Sequence, residues 1–151
     1  MLVPTRLLIA SGTFPLRGPR SPRLSAASVA AAIARGVCAA GHPEPDLCPL
    51  DGTEEPDGIR AQLDAVSFDA RMRAARAVVI AAERLQERTL AGSAPFEIAT
   101  RARQGGVPVY AITAHDEMNA FDARILDLQL ILVAATSKAL AAAGRELAEL
   151  A

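Results

Sequence analysis

The stretch that decides the fold covers residues 77–113. It opens with Ala77-Val78-Val79-Ile80-Ala81, continues through a polar turn and a helical pattern ending at Gly105-Gly106, and closes with a second apolar run over residues 107–113. Two short apolar runs joined by a helix predict one βαβ unit with parallel strands. Both runs are continuous rather than alternating, as expected of strands buried on both faces. The turn after the first strand then lies at the carboxyl edge of the sheet, where open α/β folds bind ligands.

The rest of the chain shows the same alternation of short apolar runs and helical patterns. Further strands are predicted at residues 6–10, 46–50 and 128–133. Helices are predicted at residues 26–40, 59–66, 69–75, 94–104 and from Thr136 or Ser137 to the end, with a brief helix opening at residues 115–118. This pattern predicts a single α/β domain over residues 1–151, with a doubly wound, mainly parallel five-stranded sheet and helices on both faces.

Composition narrows the classes of function. The 151 residues are 51% apolar, which is enough for one domain with a core. The net charge is −1 and aromatic residues make up 3%, so a nucleic-acid partner is not expected. No apolar run approaches the roughly 18 residues of a membrane span, and no signal peptide is visible. The two cysteines, Cys38 and Cys48, are typical of reduced thiols and predict a cytoplasmic protein.

A proline-rich loop follows the first predicted strand. Residues 11–23 contain three prolines, which forbid regular structure, and three arginines, Arg17, Arg20 and Arg23. Because the next helix starts directly afterwards, the arginines could bind an anion together with its free N–H groups. The alternative is an ordinary solvated surface loop.

An acidic turn follows the second predicted strand. It includes Asp51, Gly52 and Glu54, and its carboxylates could bind Mg²⁺, which prefers one or two carboxylates with water and phosphate. The alternative is that these acids only favour the dipole of the following helix. Elsewhere, His42 and His115 are isolated, and there is no GxSxG, GxGxxG or Walker A motif.

Three segments resemble type I glycerate kinases. The family has a turn of the form G-E-G-R-L-D-x-Q-T-x-x-G-K-A-P, and residues 81–95 read A-A-E-R-L-Q-E-R-T-L-A-G-S-A-P without a gap. The early signature A-P-D-S-F-K-G-S-L-S-A is similar to residues 10–14 followed by residues 24–30. The family's P-L-A-D-G-G-E-G-T is similar to residues 49–54.

The resemblance implies a fold, ligands and partners. Glycerate kinases have two lobes, and only about ten residues, 65–74, stand where the second lobe would be inserted. The resemblance therefore implies an α/β lobe with one wall of the ligand cleft, ATP and Mg²⁺ as possible ligands, and a partner chain or second copy as a possible partner. Besides the two loops, it implies Thr13, Arg84, Thr89 and Ser93 as candidate ligand-binding residues.

The departures from the family pattern fall on polar positions. Gly12 and Ser93 stand where the family has an aspartate and a lysine, and Ala82 and Gln86 stand where it has a glutamate and an aspartate. Phosphoryl transfer depends on charges that neutralise the phosphates, so we expect a non-catalytic remnant acting as a small binding or assembly domain. The alternatives are glycerate kinase activity, alone or with a partner chain, and a self-associating module.

Overall fold

The computed structural model describes residues 5–14, 24–50, 58–86, 93–119, 124 and 126–151. Within them lie five strands and five helices. In chain order these are β1 (Leu7–Ser11), α1 (Ala26–Ala39), β2 (Asp46–Pro49), α2 (Gly58–Ala65), α3 (Phe68–Arg73), β3 (Ala77–Gln86), α4 (Ala94–Gln104), β4 (Val109–Glu117), β5 (Leu128–Val133) and α5 (Ser137–Leu150).

All five strands form one parallel sheet in the order β2-β1-β3-β4-β5. The predicted doubly wound, five-stranded sheet is therefore confirmed. The chain first moves outward from β1 to β2 and then crosses to the other side for β3, β4 and β5. Because crossovers between parallel strands share one hand, this reversal puts the connecting helices on opposite faces. The reversal lies between β1 and β3.

The two faces of the sheet form two separate cores. Leu7 and Ile9 of β1 pack in the core shared with α1 and α5. Leu8 and Ala10, which alternate with them, pack in the core shared with α2, α3 and α4. All four side chains are buried. This explains why the strand sequence is apolar at consecutive positions.

Helices α1 and α5 pack against each other at two glycines. A Cβ atom on Gly36 would overlap the backbone carbonyl of Ala141, and one on Gly144 would overlap that of Ile33. The two backbones are therefore in contact, and no larger residue fits between them.

The predicted helix starts are confirmed by side-chain caps. The side-chain oxygens of Ser25, Ser93 and Thr136 accept hydrogen bonds from backbone N–H groups three residues later, at distances of 3.1, 3.3 and 3.1 Å. Each cap satisfies one donor that the first helical turn leaves unpaired.

Strands β3 and β4 are both longer than predicted. The helix predicted to open at residues 115–118 is wrong, because β4 continues to Glu117. Arg84 pairs with His115 and Leu85 with Asp116 along the extended ladder. Each strand supplies hydrogen-bond partners for the other, and the side chain of Leu85 is buried, so tertiary pairing overrides the polar local sequence.

The joint between α2 and α3, together with α3 itself, lies where the resemblance puts the second lobe. Only Val66 and Ser67 separate them, and Ser67 has a φ of 56°. Arg101 of α4 joins both helices, since its Nη1 lies 2.9 Å from Oδ1 of Asp64 and 3.2 Å from Oδ1 of Asp69. The joint, meaning the connection between α2 and α3, is therefore short, and both helices are tied to α4.

A charged pair fixes the edge strand β2 to α3. Arg71 donates from Nε to Oδ2 of Asp46 at 2.9 Å and from Nη2 to Oδ1 at 2.7 Å. The same Nη2 donates to the carbonyl of Leu47 at 2.8 Å. The hydrogen bonds from Arg71 hold the pKa of Asp46 below its ordinary value of 3.8.

Replacing Arg71 with methionine should destabilise the fold by about 2 kcal/mol at neutral pH, because two charge-assisted hydrogen bonds are lost from a partly buried carboxylate. A carboxyl with a depressed pKa in the folded state stabilises the fold above its unfolded pKa, and that contribution is lost as pH falls through the folded pKa. The difference between wild type and R71M should therefore shrink as the pH falls below the ordinary Asp pKa of 3.8. Urea unfolding at pH 7 and at acid pH measures both effects.

The matched control for that variant is R145M. Arg145 pairs with Glu149 at 3.6 Å, and both side chains are about 60% exposed. An exposed pair of this kind contributes about 0.5 kcal/mol or less. Equal losses for R71M and R145M would contradict a special role for the Arg71–Asp46 pair.

Replacing Gly144 with alanine should destabilise the fold by roughly 1–3 kcal/mol, because the added methyl forces α1 and α5 apart. Glycine-to-alanine changes inside helices ordinarily stabilise by about 0.5–1 kcal/mol, so the expected sign is reversed. Urea unfolding of G144A measures the effect. The control A142G lies on the exposed side of the same helix and measures the ordinary difference in helix propensity between alanine and glycine. A stabilised G144A would contradict the close contact between α1 and α5.

Candidate functional site

A pocket of about 270 Å³ opens at the carboxyl edge of the sheet, beyond the end of β1 and beside residues 80–83 of β3. This is the point where the strand order reverses, which is where open α/β sheets bind ligands. The pocket is bounded by the ends of β1 and β2, by residues 80–83 of β3 and by the starts of α2 and α4. Its lining residues are Ala10, Ser11, Gly12, Thr13, Leu50, Ile59, Ile80, Ala81, Ala82, Glu83, Ser93, Ala94, Pro95 and Ile98.

Backbone hydrogen bonds fix the floor of the pocket beyond the end of β1. The N–H of Gly12 donates to the carbonyl of Ala81 at 2.9 Å, and the N–H of Leu50 donates to the carbonyl of Ser11 at 2.8 Å. The buried hydroxyl of Ser11 donates to the carbonyl of Ala26 at 2.7 Å, which ties the strand end to the start of α1. The floor is thus held by three strands and one helix.

The first turns of helices α2 and α4 form the wall of the pocket that lies opposite the strands. Ser93 caps α4 and Ile98 is buried one turn further on. Arg60 of α2 pairs with Glu97 of α4 at 3.1 Å, where the Glu97 side chain is 9% exposed. This pair joins the two helices beside the apolar wall, so the wall is held in place from both sides.

Among the described lining residues, Glu83 is the one with an ionisable side chain. Its backbone carbonyl accepts a hydrogen bond from Oγ1 of Thr113 at 3.0 Å, which fixes this part of β3 against β4. The neighbouring Arg84 does not line the pocket. Its Nη1 lies 3.6 Å from Oε1 of Glu117 on β4, and both side chains are nearly half exposed. The described lining therefore includes no cationic side chain, and the Glu83 side chain alternates onto the face of Ala81, opposite that of Ile80 and Ala82.

The structure brings two of the ten predicted site residues to the pocket, Thr13 and Ser93. The prediction that Arg84 lies in the turn is wrong, because β3 continues past it and commits it to the ladder with β4. Seven predicted residues lie outside the described residues and stay predictions: Arg17, Arg20, Arg23, Asp51, Gly52, Glu54 and Thr89. The base of the arginine loop is described, and there the backbones of Phe14 and Leu24 pair with each other at 2.7 and 2.9 Å.

Sequence reasoning missed Glu83 as a residue that borders the pocket. The predicted strand ended at residue 81, so Glu83 fell in the turn, one position after the alanine that replaces the family glutamate. The available signal was a charged residue directly after a buried strand at the carboxyl edge. The apolar lining, including Leu50 and Ile80, was predicted as core rather than as pocket wall.

The described lining residues do not fit a magnesium-bound triphosphate. Pockets for drug-sized ligands are roughly 300–1,000 Å³, and this one is about 270 Å³. It offers no lysine or arginine among its described residues to neutralise phosphates. Across the described part of the chain, no group of three or more His, Cys, Asp or Glu residues could hold a metal ion. None of the described helices is both long and apolar enough to cross a membrane.

Comparisons with known proteins identify the family. A crystal structure assigned as glycerate kinase 2 from Salmonella typhimurium LT2 is 18% identical, with a TM-score of 0.47, and the match covers 70% of this chain and 27% of that one. This chain thus corresponds to less than a third of that structure's length. No curated protein matches the sequence significantly. The model of the glycerate kinase family matches residues 28–151, most of the chain, and the chain therefore belongs to the glycerate kinase family.

Proposed function

We propose that this chain is a small-molecule-binding domain of the glycerate kinase family that does not transfer phosphate by itself. The observation that carries the proposal is the pocket at the β1–β3 reversal, which has an apolar wall and no cationic side chain among its described lining residues. Enzymes that transfer phosphoryl groups rely on positioned charges that stabilise the phosphate oxygens. The described pocket can hold a small molecule but lacks that machinery.

Two substituted positions support the lack of catalysis because they lie in the pocket itself. Ala82 and Ser93 line it where the resemblance puts a glutamate and a lysine. Ser93 instead caps α4 by accepting a hydrogen bond from the N–H of Phe96. Loss of one preorganised stabilising group commonly costs about 10²–10³ in rate, and two such losses fall in one small site.

The joint between α2 and α3 supports a domain that folds without a second lobe. Phe68 and Met72 of α3 are buried in the core on that face of the sheet. Arg101 holds the ends of both helices, as its bonds to Asp64 and Asp69 show. A lobe inserted here would have to be connected to the domain between α2 and α3, which Arg101 already holds together. We therefore propose that the cleft has one wall in this chain.

The cysteines support a cytoplasmic location, which is part of the proposal. Both thiols are free: Cys38 is exposed on α1 and Cys48 is buried in β2. Burial raises the pKa of the Cys48 thiol, so it remains protonated and unreactive at neutral pH. Two unpaired thiols suit a reducing compartment.

Purified chain supplied with ATP, Mg²⁺ and glycerate should form no phosphoglycerate above background, as measured by a coupled ADP-release assay with product analysis. The variant S93K, which restores a lysine at the family position, should remain inactive because the facing wall is still missing. The variant A94F, which adds bulk to a residue that lines the pocket, distinguishes this site from a contaminating kinase. ATP-dependent phosphorylation that wild type shows and A94F loses would contradict the proposal.

Self-association is a second candidate function, and the edge strand β5 favours it. No described strand pairs with its outer edge, its sequence is Leu-Gln-Leu-Ile-Leu-Val, and Val133 is 64% exposed. Long apolar edges without lysine or proline are templates for pairing with another chain. A second copy could extend the sheet across this edge.

If β5 pairs between copies, V133K should reduce the solution mass measured by light scattering at high protein concentration, because a charge at the edge opposes pairing. The matched control is L150K on α5, since Leu150 is 60% exposed and lies off the sheet. A monomeric wild type, or an equal effect of both variants, would exclude association through β5.

A further inference from the structure

We propose that the pocket beyond the end of β1 binds the hydrocarbon end of a small aliphatic molecule, a chain of about six carbons with a single polar end. The inference rests on the proposed function, because it assumes that this pocket binds a ligand. It adds the chemical class of that ligand and the direction in which the ligand enters. This class differs from glycerate, in which every carbon carries oxygen.

The side of the sheet that faces the pocket is apolar. Ala10 of β1 and Ile80 of β3 line the pocket, and both belong to the core between the sheet and helices α2, α3 and α4. Ala82 follows Ile80 on the same face of β3, lines the pocket and packs against the same core. The short side chains of the two alanines leave room in front of the sheet, and the pocket is bounded there by hydrocarbon.

Apolar side chains also line the pocket away from β1 and β3. They belong to Leu50, beyond the end of β2, and to Ile59 and Ile98, in the first turns of α2 and α4, and all three are buried in the same core. A hydrocarbon chain placed against them leaves water for fixed apolar contacts, which is favourable. An apolar cavity of about 150 Å³ binds benzene, so a pocket of about 270 Å³ accommodates a chain of roughly six carbons.

The polar residues of the lining mark the mouth of the pocket, where the polar end of the ligand stays. Thr13 follows the end of β1 and is exposed, and Ser93 directly precedes α4. Both lie at the carboxyl edge of the sheet, whereas Ile80 pairs with Ala10 inside the sheet and Ile98 lies one turn into α4. The hydrocarbon end of the ligand therefore points toward Ile80 and Ile98, and its polar end faces the mouth.

The described charged side chains around the pocket do not offer the inserted end a partner. Glu83 alternates onto the opposite face of the sheet. Glu97 pairs with Arg60 at 3.1 Å, and Arg84 lies 3.6 Å from Glu117. A hydroxyl carried to the inner end of the pocket would exchange its bonds to water for contacts with apolar side chains, which is unfavourable.

Four straight-chain alcohols test the apolar character and the size of the pocket: ethanol, 1-butanol, 1-hexanol and 1-octanol. Each is titrated at pH 7 into the full chain labelled with ¹⁵N, and binding is followed at the amides of Gly12, Ala82 and Ala94, which line the pocket. Affinity should rise about threefold to fourfold for each added methylene up to hexanol, the factor expected from burial of one CH₂ group. The gain should stop between hexanol and octanol, because the pocket is then filled. Glycerate serves as the fully oxygenated reference probe.

A matched pair of probes tests the direction of entry. 1,6-Hexanediol has the same chain as 1-hexanol but carries a hydroxyl at both ends, so either end brings a polar group toward Ile80 and Ile98. Because that hydroxyl is left without a hydrogen-bond partner, the diol should bind roughly tenfold more weakly than hexanol.

Substitutions that narrow the pocket tie the effect to this site. A82L adds a bulkier side chain on the face of β3 that lines the pocket and should move the end of the series from hexanol to butanol. A94L narrows the pocket from the start of α4 and should act in the same way. The matched control A142L, at an exposed position on α5, should leave the series unchanged. The amide spectrum of each free variant shows directly whether it is folded.

The outcomes separate this inference from the proposed function. If glycerate shifts the pocket amides and hexanol does not, the pocket binds a small molecule but the aliphatic class is wrong. A diol that binds as tightly as hexanol, or an unchanged series in folded A82L and A94L, would overturn the inference while binding stands. If no probe shifts these amides, the proposed function fails as well. Shifts of the same amides on dilution of the free chain would show that a second copy occupies the pocket, and they would also overturn the inference.

Discussion

The fold depends on the pairing of β1 with β3 at the centre of the sheet. These parallel strands pair from Leu7 with Ala77 to Ser11 with Ala81, and their side chains are buried on both faces. Polar backbone groups in such a position have to be paired, because water cannot reach them. Two layers of helices are needed to cover the two faces, and the close packing of α1 on α5 through Gly36 and Gly144 provides one of them.

The pocket arises because β1 and β3 end at different heights. The last bond between them runs from the N–H of Gly12 to the carbonyl of Ala81. Beyond that bond β3 continues to Gln86 in partnership with β4 alone. The side of β3 that β1 no longer covers is bounded by the start of α4, and the space between them is the pocket. Its position is therefore a consequence of strand length and of the reversal in strand order.

Local sequence predicted the parts of the fold that depend on apolar runs. The strand at residues 77–81 and α4 with its Ser93 cap are both present as predicted. The extension of β3 and β4 could not be predicted from local sequence, because Arg84 and Asp116 are polar and gain their extended structure only from pairing across the two strands. Periodicity also does not determine strand order, which is a property of long-range contacts.

Family motifs marked only part of the pocket lining. Thr13 and Ser93 were predicted because the family pattern places a polar residue at each position, and both line the pocket. Arg84 matches the same pattern and alternates onto the face of Ile80 and Ala82, but its guanidinium lies against Glu117 of β4. Glu83 matches no family residue, so only the three-dimensional arrangement shows that it borders the pocket.

The positions around the pocket differ in what they contribute to the fold. Ile80 and Ile98 are both wall and core, so replacing them would remove buried apolar contacts and destabilise the domain. Thr13 is exposed and Glu83 is only partly buried, so their side chains contribute little to the core. Substitutions at such rim positions cost little stability. The fold of the domain therefore constrains the wall of the pocket more strongly than its rim.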